Sequence, residues 1–383
     1  MTPALISKVL RSLWRHPGYT GSVVQRKIRL AGRYRWIEDP KNLEKPIPWP
    51  LVIKLVLTHQ CNLRCEGCFQ QGAFAEGGEG TVELDVAIVE RLLREMGPRR
   101  PDFILTGGEP LLHSRFRDLL ERLREHRCYT TLCTNGTRLG HYRDTVRANR
   151  YLSYLISLDG TEEVNDAIRG KGVFRKVTEE IRFIKSLKRP PYIGIQLTLR
   201  ESNIGGLFAF CREMVDLGVD WILLNPFWFM TPEEAGEYEA LVASRFGSRP
   251  RFHEAFITPY HPDCDAFVEE LGRIRRARWP IQISSYFTEP EQLRAYLEEP
   301  EALTRDKRCY KQWVRMDVTP EGDVSPCIQF PDITFGNLGE LSAMDAWNHP
   351  DYRAFRRAAR QGNLPVCAKC NNLYLYDAKR KHL

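Results

Sequence analysis

The sequence predicts an α/β fold organised around a parallel sheet. Six short apolar runs, Leu51–Leu57, Asp102–Leu105, Tyr129–Cys133, Tyr151–Leu158, Tyr192–Leu199 and Trp221–Leu224, alternate with helical patterns. The runs are continuously apolar, as strands covered on both faces are. Polar segments with turn residues follow the runs, where open sheets and barrels collect their ligands. This alternation implies right-handed crossovers within one parallel sheet, either open or curled into a partial barrel.

Residues 1–50 form a basic N-terminal segment that closes with Pro46, Pro48 and Pro50, a boundary signal. Residues 51–225 hold the six strands, with helices expected at about 82–96, 114–126, 138–148, 174–188 and 203–217. Residues 226–305 break the rhythm and read as helical, with Phe227, Trp228, Phe229, Tyr238, Phe256, Tyr260 and Phe267 among their aromatics. This insert follows strand six on the ligand side. Its aromatics suit the core of a small cover over the site or the lining of an apolar substrate pocket. Residues 306–383 form a compact C-terminal module.

With 383 residues, 43% of them hydrophobic, the chain can bury one large core and a smaller satellite. Its net charge of +7 and the lack of like-charge blocks give no footprint for nucleic acid, so no such partner is expected. No apolar run approaches the roughly 18 residues of a membrane span. Lys8, Arg11 and Arg15 interrupt any signal-peptide core, so a cytoplasmic location is expected. There, eleven cysteines point to ligation of metal rather than to disulfides. Seven fall in two groups with ligand-like spacing. Cys128, Cys133 and Cys211 lie in or beside apolar segments and read as small core residues, while Cys264 has no assignment.

The first group, Cys61, Cys65 and Cys68, follows strand one as C-x3-C-x2-C. Three neighbouring thiolates hold three irons of a four-iron cluster and leave the fourth iron open to a small molecule. Spacing alone also admits a zinc site with His59 as fourth ligand. The loop resembles the signature of the radical S-adenosylmethionine (SAM) superfamily. That resemblance implies a partial (β/α)6 barrel core, an open iron that binds SAM, and reductive cleavage to a 5′-deoxyadenosyl radical that abstracts hydrogen from a substrate. It also implies an electron donor such as flavodoxin or ferredoxin. One departure is Gly67, where the family usually has an aromatic residue.

Further segments resemble the family's SAM-binding motifs in family order over about residues 51–225. Gly107, Gly108 and Glu109 match the motif for the SAM amino group, and adjacent glycines suit close backbone approach. Asn135, Ser157 and Asp159 stand at the ends of strands three and four, where the family touches ribose and carboxylate. Arg169, in Asn165-Asp166-Ala167-Ile168-Arg169-Gly170, matches an arginine that pairs with the SAM carboxylate, although the family often has histidine where this chain has Asn165. Each segment taken singly also reads as a capped turn or an exposed loop.

Cys309, Cys327, Cys367 and Cys370 form the second group. Four thiolates suit a fully ligated four-iron cluster or a structural zinc equally well. Gly322 to Cys327, Phe335-Gly336-Asn337-Leu338 and Asp345-Ala346-Trp347-Asn348 resemble the C-terminal extension called SPASM, or its shorter form called twitch. No cysteine follows Cys370, so the resemblance implies one auxiliary cluster, twitch-like, that serves electron transfer in an oxidation or a C–C or C–X bond formation. The substrate, whether small molecule, peptide or lipid, is not identified by the sequence; a peptide-modifying maturase and a lipid-modifying enzyme stand as alternatives, and a non-catalytic zinc scaffold is the competing class. Tyr310, Arg315 and Asp317 flank the auxiliary cysteines within reach of a substrate. Leu5, Ile6, Val9, Leu10 and Leu13 share a helical face beside basic residues. That face suits either packing over an end of the sheet or a peripheral membrane contact through residues 1–35.

Overall fold

The computed structural model describes residues 16–42, 45–70, 82–247, 250, 252–287, 290–299, 307–327, 333–361, 367 and 369–375. The apolar helical face of residues 5–13 lies outside the described residues. Chain order runs α1 (Pro17–Glu38), β1 (Val52–Val56), α2 (Val86–Met96), β2 (Asp102–Thr106), α3 (Phe116–Glu125), β3 (Thr130–Thr134), α4 (Arg143–Ala148) and β4 (Leu152–Ser157). It continues with α5 (Glu162–Arg169), α6 (Val173–Lys185), β5 (Tyr192–Thr198), α7 (Leu207–Asp216), β6 (Trp221–Asn225), α8 (Pro232–Phe246) and α9 (Cys264–Arg276). The last elements are β7 (Gln282–Ser285), α10 (Pro290–Glu298), β8 (Arg315–Val318), β9 (Val324–Ser325), α11 (Ala343–Trp347), α12 (Pro350–Gln361) and α13 (Asn371–Leu375).

All six expected strands are present, and they pair in sequence order, each parallel to the next. Among the described residues the sheet nevertheless has nine strands, in the order β7-β6-β5-β4-β3-β2-β1-β8-β9. The insert is therefore not purely helical, because it contributes β7 parallel to β6. The C-terminal module contributes β8 parallel to β1 and β9 antiparallel to β8. β7 is short and polar (Gln-Ile-Ser-Ser), so its sequence carries little strand signal.

Burial alternates along the strands. Ile53, Leu55, Phe103, Leu105 and Leu132 are sealed beneath the helices. Their neighbours Lys54, Ile104, Thr131 and Cys133 are only half-buried and face the inner side of the curved sheet. The register lines these inner residues up in rungs: Lys54, Ile104, Thr131, Ser153 and Tyr192 form one, and Ser157, Gln196, Leu223 and Ser284 another. Cys128 and Cys211 are core residues as expected, but Cys133 belongs to this inner face.

Helix α1 closes the end of the sheet at which the strands begin. His16 Nε2 pairs with Asp220 Oδ1 at 3.0 Å just before β6, and Tyr19 stacks on Tyr192 with centroids 3.7 Å apart. Arg26 Nε lies 3.3 Å from Asp102 Oδ2 at the start of β2, and Arg29 Nη1 donates to Arg100 O at 2.7 Å. Of the two readings of the N-terminal segment, the part from His16 onward follows packing over an end of the sheet. Among the described residues no helix is long and apolar enough to cross a membrane.

The insert's aromatics form a packed cover. Phe256 contacts Trp228 and Phe69 with centroids 3.8 and 5.1 Å apart, and Tyr260 donates to Leu199 O at 3.1 Å. The C-terminal module is anchored by Trp347, fully buried, whose Nε1 donates to Pro48 O at 3.2 Å, and by Asn348, whose Oδ1 accepts from Ile47 N at 2.6 Å. Trp347→Ala should lower the unfolding free energy by about 3–5 kcal/mol in a urea titration. A loss below about 1 kcal/mol would show that this anchor is not structural.

Candidate active site

The cysteine loop sits where β1 ends, and the β1–β2 pairing carries on beyond the strands to hold it. Gly108 N donates to Thr58 O at 2.9 Å and Glu109 N to Gln60 O at 2.7 Å. This approach requires glycine: a methyl group at Gly107 would collide with Thr58 O, and one at Gly108 with Gln60 O. Further along the loop, Glu66 N donates to Ile168 O at 3.0 Å, tying it to the end of α5. His59 Nε2 lies 3.3 Å from Glu321 Oε1 of the C-terminal module, so the ring links the loop to that module.

Glu109 is fully buried, and its carboxylate is engaged inside the protein. Thr134 Oγ1 and Leu111 N donate to Oε1 at 2.7 and 3.1 Å, and Asn135 N donates to Oε2 at 2.7 Å. Burial pushes its pKa up to about 6 against the pull of these bonds. The side chain thus fastens the β2 end to the β3 end. Asn135 Nδ2 donates to Asn62 Oδ1 at 3.1 Å and points at Cys61 Sγ, 3.8 Å away. Asn62 Nδ2 in turn donates to Thr137 Oγ1 at 2.9 Å, completing a polar triangle around the first cysteine.

Asp159 and Arg169 meet on the other side of the loop. Arg169 Nη2 lies 2.7 Å from Asp159 Oδ2, and Thr198 N donates to Asp159 Oδ1 at 2.8 Å. Arg169 Nη1 stands 4.0 Å from Cys65 Sγ, and its buried Nε has no partner among the described residues. Asn165, where the family often has histidine, accepts the Asp159 amide at 3.0 Å and so positions that carboxylate. Ser157 stands half-buried on the inner rung beside Gln196.

Cys61 and Cys65 both feel neighbouring thiols that raise their pKa. Burial pushes Cys61 up to about 11, with Glu109, Cys65 and Cys68 adding to it. Burial likewise raises Cys65 while Arg169 opposes it. Three mutually repelling sulfurs with Asn135 and Arg169 beside them suit a cationic iron cluster, which would hold them as thiolates. Gly67 has φ +57°, and a side chain there would start 2.9 Å from Arg200 Nη1. Arg200 itself covers the Phe227 ring at 4.9 Å. The sequence reading missed Arg200, although it follows strand five just as the other candidates follow their strands.

The second group converges too, since Cys327, Cys367 and Cys309 all raise the pKa of Cys370. A hydrogen bond from Cys370 and the charge of Lys311 outweigh burial at Cys327 and lower it to about 6, whereas burial raises Cys309 to about 11. Asn372 Nδ2 lies 3.8 Å from Cys327 Sγ and 3.6 Å from Cys370 Sγ. Arg315 and Asp317 form a bidentate pair at 2.7 and 3.0 Å, and Lys311 Nζ lies 2.8 Å from Asp317 Oδ2. Asp317 is thereby held well below the usual carboxylate range, so it serves the cysteines as part of a charged frame.

Adjacent asparagines bridge the gap in the curved sheet. Asn371 Nδ2 donates to Asn225 Oδ1 of β6 at 3.1 Å, and Asn372 Oδ1 accepts from Arg315 Nη1 of β8 at 3.1 Å. Lys54 stands opposite Asp317 in the β1–β8 register. Burial and Arg315 depress its pKa, and Asp317, Cys133 and Cys327 oppose them. It is the one charge in the run Val52-Ile53-Lys54-Leu55-Val56, a sequence signal that the strand pattern concealed.

A family model described as the radical SAM superfamily matches residues 55–203, and one described as an iron-sulfur cluster-binding domain, SPASM, matches residues 309–371. The chain is 32% identical to the pre-heme d1 synthase of Dinoroseobacter shibae, over 86% of this chain and 81% of that protein. It is 24% identical to the tungsten-containing aldehyde ferredoxin oxidoreductase cofactor-modifying protein of Pyrococcus furiosus, over 83% of this chain and 86% of that one. Among solved structures it is similar in fold to Streptococcus suis SuiB bound to the precursor peptide SuiA, with a TM-score of 0.59 at 17% identity, covering 85% of this chain and 70% of that one.

Gly108→Ala should displace the Thr58–Cys61 backbone. Roughly half of the iron bound after anaerobic reconstitution should be lost, with the circular dichroism spectrum preserved. Full iron content in that variant would refute the clamp.

Proposed function

The chain belongs to the radical SAM superfamily and carries a SPASM domain, and from that premise we propose that it reductively cleaves SAM and oxidises an enclosed, carboxylate-bearing substrate. In this reading Cys61, Cys65 and Cys68 hold the SAM-binding cluster, and Cys309, Cys327, Cys367 and Cys370 hold one auxiliary cluster. When bound, the first cluster with SAM supplies a 5′-deoxyadenosyl radical that takes a hydrogen atom from the substrate, and the second supplies an acceptor for the electron left behind.

One observation carries the reading: the first cysteine group follows β1, and Cys309 and Cys327 bracket β8 and β9, which pair beside β1 in the same sheet. Glu109 raises the pKa of both Cys61 and Cys133, and Lys54 acts on Cys133 from the same rung as Asp317, beside Cys327. A substrate on that face would lie between the clusters. The chain's own residues do the positioning. Gly107 and Gly108 fix the loop, Asn135 donates towards Cys61, and Arg169 keeps Nε for the carboxylate of SAM. Lys54 stands half-buried on the inner face, where burial disfavours its charge, and a carboxylate on the substrate would restore it. A relative named as a pre-heme d1 synthase, matched over most of both chains, supports a small-molecule substrate. An external reductant such as flavodoxin or ferredoxin would supply the electron for cleavage.

Anaerobically reconstituted protein with SAM and a strong reductant should release 5′-deoxyadenosine and methionine, and Cys65→Ser should abolish this. Unchanged release by Cys65→Ser would sink the assignment. Cys309→Ala should bind about four irons in place of about eight and still cleave SAM, while losing substrate turnover. If that variant kept full iron and full turnover, the auxiliary role would be wrong.

A further inference from the structure

The geometry points to a second binding site, for a small multiply charged oxyanion such as a phosphate ester or pyrophosphate, in the cavity between the C-terminal end of α1 and helix α12. Trp36 and Trp313 line it, Arg356 reaches it from the buried side, and Lys45, Arg357 and Arg360 stand around it. No carboxylate is among its described lining residues.

Arg356 makes the cavity more than a basic surface. It is 2% exposed and rigidly held: Nε donates to Gln312 O at 2.8 Å and Nη1 to Trp347 O at 2.6 Å, while the guanidinium lies 3.6 Å from the Tyr352 ring centroid. Its third nitrogen, Nη2, is buried and has no partner among the described residues. Nearby Arg33, also buried, donates among the described residues to the carbonyls of Trp313 and Trp49. Burial lowers both groups to about 10; Tyr352 opposes this at Arg356, and among the described residues no carboxylate does so at either.

Two buried guanidinium groups, bonded to carbonyls and, at Arg356, helped by the Tyr352 side chain, have no carboxylate partner among the described residues, which is costly in a desolvated setting. An oxyanion seated against Nη2 would supply the missing acceptor and the missing charge. Phosphate oxygens suit a guanidinium edge fixed in this way. The neighbouring indoles give the cavity walls that a flat cationic patch lacks, and this favours a small anion over the acidic face of a protein. None of the seven cluster cysteines is among the cavity's described lining residues, and the site is independent of the proposed reaction. Gln312 joins the two regions: its carbonyl accepts from Arg356, and its chain neighbour Lys311 pairs with Asp317.

Calorimetric titration of the full, anaerobically purified protein with pyrophosphate and with inorganic phosphate tests this, with sodium chloride at equal ionic strength as the control. Saturable binding is expected, weakened about tenfold or more by Lys45→Glu combined with Arg360→Glu. Both positions lie at the cavity's rim, so the fold should survive. Arg356→Lys keeps the charge, removes Nη2 and should also weaken binding, with circular dichroism confirming the fold. Heat no different from chloride, or equal affinity in the double variant, would overturn the proposal. So would protection of Lys45 from acylation by an acidic protein such as flavodoxin with which pyrophosphate fails to compete, for the cavity would then be a docking face.

Discussion

Contact between two backbones at the carboxyl ends of β1 and β2 governs the rest of the molecule. Residues 58–60 and 107–109 continue the strand ladder without side chains between them, and they set where Cys61 stands. The carbonyls of Thr58 and Gln60 leave no room for a Cβ at either glycine, so the constraint is steric and local. Everything beyond follows as support. Glu109 binds the β2 end to the β3 end, Asn135 turns from there to Cys61, and Arg169 approaches Cys65 from α5. A loop with little regular structure is thereby held at both ends by rigid elements, which is how reactive groups are kept in place on a scaffold.

The inner face of the sheet explains why one chain carries two cysteine groups. The outer face is sealed under helices and wholly apolar at its centre, whereas the inner face holds charged and polar groups along successive rungs. The cost of burying Asp317, Lys311 and Arg315 is offset in part because both cations bond the one carboxylate. Helix α1 shuts the lower end of this space, the aromatic insert covers the other, and the segment with Cys367 and Cys370 spans the open side.

Much of this was legible in the sequence because it is local. The six core strands, the C-x3-C-x2-C loop and the Gly107–Gly108 step all show in short windows, and the structure places each at a strand or a strand end. Three features escaped for definite reasons. β7 is four residues of weak propensity whose place is set by the edge of β6. β8 is short, and its partner β1 lies at the other end of the chain, so periodicity gives no hint of the pairing. Arg200 and Lys54 matter through what surrounds them in three dimensions. Arg315 and Asp317, read from the sequence as within reach of a substrate, also pair with each other, which the sequence did not show.

That β8 lies beside β1 bears on how the chain is born. The strands from β1 to β6 leave the ribosome in the order in which they pair, so each finds its neighbour already made. β1 alone must wait on one flank until almost the whole polypeptide has been synthesised. Contacts between such distant segments are slow to form, and an unpaired strand edge is prone to join other chains in the meantime. The C-terminal module is thus the last stave of the sheet as well as the home of the second cysteine group. A nascent chain lacking it would expose the very strand that leads into Cys61.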